Sequence, residues 1–252
     1  VLKALNQSPG GSANLTELAR ASGIHRTTVR RLLETLRDEG LVRHHDDDGR
    51  YWLTSEVKRL SDGLADDPWV IEAASLMQAA VPRLIWPCDL CTADAGFMLV
   101  RASTHRFSAL SQHRSMLGER LPMLVTAAGR AYLAACNETE RAAHLGLLRL
   151  RTDRWGDLAR EPGYVERILQ DTRERRHASN HGEWQREAAF AAVAVPVRAS
   201  RRLLGTINLI FPKSVLTDAD IDARFVPALR RLAQEIGRAS APLVRAAEAS
   251  RA

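Results

Sequence analysis

Apolar side chains recur at Val29, Leu32, Leu33 and Leu36, the i, i+3, i+4, i+7 spacing of a helix with one buried face. The spacing predicts a helix over residues 26–39, and Gly40 supplies its stop. Ahead of it, Asn14 caps a shorter helix over 15–21, and Ser22-Gly23 breaks the chain between the two. Short strands are expected at 41–44 and 50–53. The polar tip Asp46-Asp47-Asp48-Gly49 joins them, since Asp-Gly supports the left-handed turn of a tight hairpin. A connecting helix over 55–65 leads to Asp66-Asp67-Pro68, where proline suits the first turn of a new helix.

From Trp69 onward the pattern changes. A helix over 69–84 precedes strand-like stretches at 89–92, 97–102 and 107–110. Helices are expected at 126–136, 138–148 and 164–176, and apolar strands at 191–198 and 206–211. A long helix over 218–249 follows, broken near Pro227 and Pro242. Strands with helices between them and at both ends predict an α+β domain. The organisation expected is a helical pair with a hairpin over 1–60, a linker over 61–68 and the α+β domain over 69–252.

Composition narrows the classes. Apolar residues make up 45% and charged residues 26%, which excludes wholesale disorder. The longest uncharged apolar stretch, 188–197, is half of the ~20 residues a spanning helix needs, so no membrane partner is expected. No charged segment with a following apolar core opens the sequence, so no secretory signal is expected. Three cysteines cannot build a disulfide framework, and a reducing, cytoplasmic setting is expected. The net charge of +6 is less telling, because residues 1–62 hold ten basic and nine acidic side chains. Where the charges sit matters more than their sum.

Their placement is informative in the segment Leu18-Ala19-x3-Gly23-Ile24-x4-Val29-x2-Leu32, a helix-turn-helix pattern. Ala19 is small where two helices cross, Gly23 permits a left-handed turn, and Ile24, Val29 and Leu32 form a miniature core. With Val29 at the centre of the buried stripe, His25, Arg26, Thr27, Thr28, Arg30 and Arg31 lie on the exposed side of the first two turns. Arginine bonds bidentately to guanine, threonine reaches base edges, and a helix N-terminus favours phosphate. The hairpin would then be a wing, with Arg43 and Arg50 near the sugar–phosphate backbone. The plainer alternative is an amphipathic helix pair with a solvated basic face.

A second constellation is Leu121-Pro122-Met123-Leu124-Val125-Thr126-Ala127-Ala128-Gly129, an apolar extended segment delivered to a helix start. Small residues there would expose backbone N–H groups that favour an anion such as a carboxylate. Met116, Leu121 and Leu124 could line a pocket for a ring, with Arg106, His113, Arg114, Ser103 and Asn208 as polar candidates. The plainer alternative makes Thr126 an N-cap and the alanines spacers for close packing.

Other chemistry is not expected. Cys88-x2-Cys91 is half a zinc site, and in a strand its two side chains point to opposite faces. His177-x3-His181 has helical spacing, yet Ser179-Asn180 imply that the helix has already ended. No Gly-x-Ser-x-Gly elbow, phosphate-binding loop or Gly-x-Gly-x-x-Gly turn occurs, so neither enzymatic activity, a metal nor a cofactor is expected. An enzyme with an accessory DNA-binding domain would need a nucleophile–base pair that the motifs do not supply. A protein-docking adaptor is the remaining rival.

Gly23-Ile24-His25-Arg26-Thr27-Thr28-Val29-Arg30-Arg31-Leu32-Leu33, followed by Glu39-Gly40-Leu41-Val42, resembles the winged helix of IclR-type bacterial transcriptional regulators. Gly118-x2-Leu121-Pro122 and Thr126-Ala127-Ala128-Gly129-Arg130-Ala131-Tyr132 are similar to the start of that family's effector domain. Ala194-Val195-Pro196-Val197 and Leu204-Gly205-Thr206-Ile207-Asn208-Leu209 are similar to its last two core strands. Within the family, residues 25–36 and 104–121 resemble the MhpR-type activators of hydroxyphenylpropionate catabolism. The resemblance implies a winged helix joined by a helical linker to a GAF-like effector-binding domain, with further residues ahead of Val1. It implies a homodimer or tetramer on a palindromic double-stranded operator, and RNA polymerase as a partner if the protein activates. It also implies a small aromatic carboxylate as effector, the alternative being a repressor that answers another small carboxylate. Many members carry an acidic residue just after the Gly/Trp turn; here Gln185 stands there and joins the effector-facing candidates.

Overall fold

The side chain of Asn14 accepts the Glu17 N–H while Glu17 reaches back to the Asn14 N–H, each bond 2.9 Å long. This reciprocal cap fixes where the chain turns helical. The computed structural model describes residues 1–61, 67–112 and 116–249. It divides into two compact units, Val1–Asp66 and Asp67–Ala252.

In the first unit, α1 (Leu2–Gln7), α2 (Leu15–Ser22) and α3 (Arg26–Asp38) pack with a three-stranded antiparallel sheet. Its strands are β1 (Ser12–Asn14), β2 (Val42–His45) and β3 (Arg50–Leu53), in the order β1-β3-β2. Gly23 ends α2 at φ 66°, in the left-handed region that glycine occupies without strain. The core is Leu5, Ala13, Leu18, Val29, Leu33 and Val42. Leu32, expected inside, is 41% exposed. Leu5 of α1 and Ala13 of β1, neither of which the apolar spacing foretold as an element, fill the core and leave Leu32 on its rim. A 3₁₀ helix, Ser55–Ser61, replaces the start of the expected connecting helix, and most of the linker reading lies outside the described residues.

The second unit is a six-stranded antiparallel sheet between two helical layers. Its strands are β4 (Cys88–Asp94), β5 (Phe97–Ser103), β6 (Arg120–Pro122), β7 (Ala178–Asn180), β8 (Phe190–Ala199) and β9 (Arg202–Pro212). Their order is β6-β5-β4-β9-β8-β7. Pro68–Leu84, α4, covers one face together with the C-terminal helix, burying Met77, Leu84, Leu90, Ile207, Leu209, Leu232 and Ile236. The other face carries α5 (Ala127–Ala135), α6 (Glu138–Arg149), α7 (Arg154–Arg160) and α8 (Tyr164–Arg175). Strands β8 and β9 read as continuous apolar runs because helices cover both of their faces.

Helix α5 lies close to the sheet because its contact surface is alanine: Ala127 and Ala131 meet Ala178, Ala192 and Ala194. At Gly129 a Cβ would come within 2.2 Å of the Met123 backbone, so no larger residue fits. The α+β class holds, with local differences. Residues 107–110 form no strand. Instead a 3₁₀ turn, His105–Phe107, follows β5, and Ser108 Oγ donates to the Ile85 carbonyl at 2.7 Å, bending the chain away from the sheet. Strands β6 and β7, three residues each, and helix α7 escape the periodicity reading because so few positions show no repeat. The expected break near Pro227 is a π turn, Ile221–Phe225, between α9 (Asp218–Asp220) and α10 (Val226–Ala249). Pro242 lies within α10, which runs through it. Among the described residues no helix is long and apolar enough to cross a membrane.

Candidate functional site

On α3 the buried positions Val29 and Leu33 face the core, so 100° per residue turns Arg26, Thr27, Thr28, Arg30 and Arg31 into solvent. His25 precedes the helix as its N-cap without a side-chain cap bond; its Nδ1 lies 2.8 Å from Thr27 Oγ1. Arg30 pairs with Glu34 at 3.0 Å along the helix, while Arg26 and Arg31 have no acidic partner among the described residues. This face presents free guanidinium groups, hydroxyls and the positive end of a helix dipole together, a surface suited to phosphates and base edges.

The hairpin arginines differ. Arg43 is exposed, its guanidinium 5.6 Å from the centre of the Trp52 ring. Arg50 does not stand free: it donates to Ser12 Oγ and O at 3.0 and 2.9 Å and pairs with Glu17 at 3.3 Å. It ties β3 to β1 and α2.

In the second unit a cavity opens beside the start of α5. Met116, Leu121, Thr126, Ala127 and Asn208, all expected at a ligand site, line it. Five other candidates lie elsewhere, among them Ser103 in a separate groove by α4. Leu124, ahead of α5, and Ala128 lie in the hydrophobic core with Tyr132 and Leu133; Ala128 does so because α5 turns the residue after Ala127 away from the sheet-side gap. Arg106 lies along the same groove as Ser103, its guanidinium 4.4 Å from the Phe107 ring centre. Gln185 is exposed on a 3₁₀ turn, whereas its neighbours Trp184 and Glu187 line the cavity. His113 and Arg114 lie outside the described residues.

The helix start is already capped. Thr126 Oγ1 accepts the Gly129 N–H at 3.4 Å, and Asn180 Oδ1 accepts the Ala127 N–H at 3.0 Å. The backbone donors expected to greet a carboxylate are thus partly in use. Asn180 provides the replacement: with its oxygen bound to Ala127, its amide group is left as a donor. Asn208 repeats the pattern, its Oδ1 accepting the Asp89 N–H at 3.2 Å. Two amide donors therefore line one apolar cavity.

Arg130 anchors this corner, donating to the Leu124 and Ser179 carbonyls at 3.0 and 2.6 Å and pairing with Glu183 at 2.9 Å. Burial pushes the Glu183 carboxyl up, but the Arg130 charge and backbone N–H bonds outweigh it and hold the carboxyl below its ordinary range.

Periodicity missed Asp89, His105, Asn180 and Trp184 as cavity residues. A polar residue within an apolar strand, such as Asp89, was the available signal. The cysteines lie on opposite faces of β4, Cys88 in one core and Cys91 in the other. Burial pushes the Cys88 thiol up to about 12 and raises Cys91 also, so both remain neutral packing groups.

Residues 93–238 match the family model for the bacterial transcriptional regulator IclR C-terminal domain, and residues 1–46 match the IclR helix-turn-helix domain. The chain is similar to the Pca regulon regulatory protein of Pseudomonas putida, 26% identical, covering 88% of this chain and 75% of that protein. It is also similar to the p-hydroxybenzoate hydroxylase transcriptional activator of Acinetobacter baylyi, 26% identical, covering 88% of this chain and 83% of that one. In fold it resembles the crystal structure of the Thermotoga maritima IclR, with a TM-score of 0.67 at 20% identity over 95% of each chain.

Proposed function

The chain belongs to the IclR family of bacterial transcriptional regulators, and from that premise we propose an aromatic-acid sensor that activates a catabolic operon. The coarse function follows from the family: a ligand-responsive, DNA-binding regulator and not an enzyme. The proposed effector is a single-ring carboxylate of the hydroxyphenylpropionate type. The observation that carries this reading is the cavity at the start of α5, with apolar walls from Met116, Leu121 and Ile210 and amide donors from Asn180 and Asn208. Apolar walls favour a ring, and a small number of placed donors orients an acid arm. The p-hydroxybenzoate hydroxylase activator among its relatives is in keeping with an aromatic signal.

On DNA, α3 would enter the major groove with Arg26, Thr27, Thr28, Arg30 and Arg31, with Arg43 alongside on the wing, as one half of a dimer or tetramer on a palindromic operator. RNA polymerase would be the partner of the activating form. The effector would act by favouring the arrangement that fits the operator, which requires different affinities for the two states.

The test is fluorescence anisotropy on a duplex from the protein's own promoter region, with hydroxyphenylpropionate titrated in. A change in DNA affinity on the order of 5–150-fold is expected. Unchanged affinity with saturating hydroxyphenylpropionate, hydroxybenzoate and phenylpropionate would remove the aromatic-acid reading. Loss of transcription from that promoter when the gene is deleted distinguishes an activator from a repressor.

A further inference from the structure

Resting on the aromatic-effector reading, we propose that Asp89 is a specificity residue: its carboxylate accepts a hydrogen bond from a hydroxyl on the ligand's ring. The cavity would then select hydroxylated rings over unsubstituted or O-alkylated ones.

The strand pattern places this carboxylate. Along β4, Cys88 and Leu90 point into the core beneath α4, so Asp89 points to the opposite side, where it lines the cavity. Its backbone N–H is held by Asn208 Oδ1 at 3.2 Å, which fixes the strand at that point. The residue is 1% exposed, and its Oδ1 has no hydrogen-bond partner among the described residues. The other oxygen, Oδ2, stands 3.7 Å from His105 Nε2, longer than a hydrogen bond. His105 is itself steadied by Ser111, whose Oγ lies 2.6 Å from Nδ1.

A buried carboxylate oxygen left without a donor is costly, and a carboxylate accepts but cannot donate. A second carboxylate arriving there would be repelled, whereas a hydroxyl donates one hydrogen bond and adds no charge. The same cavity supplies the opposite chemistry at its other side. Asn180 on β7 lies three strand spacings from β4, about 14 Å between backbones. Side chains reaching inward from both ends leave a span for one ring with a short acid arm. The ring hydroxyl would lie at Asp89 and the acid at the Asn180 amide. A site built to bond a hydroxyl rejects the analogue lacking it, because the buried partner is then left unsatisfied.

The experiment is isothermal titration of the full chain with 3- and 4-hydroxyphenylpropionate, their O-methyl ethers and unsubstituted phenylpropionate. For the unaltered protein, at least one hydroxylated acid is expected to bind at least about tenfold tighter than its ether and than phenylpropionate, the magnitude of a hydrogen bond to a charged group. Asp89→Ala should bring that ratio within about twofold while phenylpropionate still binds. Asp89→Asn keeps the size and the fold if the alanine variant does not, and should reduce the ratio several-fold, since a neutral acceptor is weaker than a charged one. Thermal unfolding of each variant separates loss of fold from loss of selectivity. A hydroxyl preference that persists in both variants overturns the role of Asp89 and leaves the aromatic-effector reading standing. An ether that binds as tightly as its parent does the same. Failure of every acid to bind the unaltered protein overturns the effector reading itself, and this proposal with it.

Discussion

Six polar side chains between His25 and Arg31 stand in solvent on consecutive turns of one chain segment, whereas the cavity gathers Asp89, Thr126, Asn180 and Asn208 from four separate segments. The first group needs only the periodicity of its own helix to share a face. The second depends on strand order: Asp89 and Asn208, 119 residues apart, are cross-strand partners because β4 and β9 pair. The two regions also satisfy their polar atoms differently. Water serves the α3 face, but in the cavity Asn180 must bond Ala127 and Asn208 must bond Asp89. A change on the helix face should therefore alter binding alone, while a change around the cavity should alter fold and site together.

The largest effect should come from pressing on that second region. Gly129→Ala drives a methyl group into the Met123 backbone and is expected to cost on the order of 3 kcal/mol or more. Gly146→Ala, in helix α6 with open space around it, should instead stabilise by roughly 0.5–1 kcal/mol. Urea denaturation of both variants checks the pair, and equal effects would mean that α5 does not press on Met123.

Next in size are the arginines of the first unit. Arg26→Ala and Arg31→Ala should each lose ~1–3 kcal/mol of specific operator binding with melting unchanged. Arg50→Ala should lower the melting temperature as well, because Arg50 joins Ser12 and Glu17. Footprints equal to the unaltered protein's for the first two variants would remove α3 from the interface. Equal melting for Arg50→Ala would free that residue for DNA after all.

The smallest effect concerns pH. The folded state holds the Glu183 carboxyl below its ordinary value near 4.5. Its contribution to stability is therefore fully present above that value and is lost as the pH falls through the lowered folded value. Melting curves of the unaltered protein and Glu183→Gln should differ at neutral pH and converge under acid. A difference that persists undiminished well below pH 4 would assign the effect to something other than this charge.

Much of the first unit was legible because its signals are local. Asn14 with Glu17 caps a helix, Gly23 turns the chain, and Val29 with Leu33 sets the buried face. Leu32 went astray because Leu5 and Ala13 decide which edge of an apolar stripe is covered. In the second unit, Leu121, Thr126, Ala127 and Asn208 were reachable through the helix start and the strands that flank it. Asp89 and Asn180 were not, since alternation along a strand says that two faces exist and not which one meets a cavity. Leu124 and Ala128 show the same limit. Apolar side chains suit a pocket as well as a core, and the packing around α5 assigns these two to the core.

The sequence by itself determined the longer helices and strands, the left-handed turn at Gly23 and the cationic face of α3. Caps, turns and periodicities act over a few residues, and an exposed face needs no partner. Only the tertiary structure decided that Arg50 braces a sheet, that a capped helix start leaves two asparagine amides as donors, and that Asp89 lies buried with an acceptor oxygen unused among the described residues. Burial and hydrogen-bond satisfaction belong to pairs of segments brought together by strand order, and no local pattern records which segments will meet.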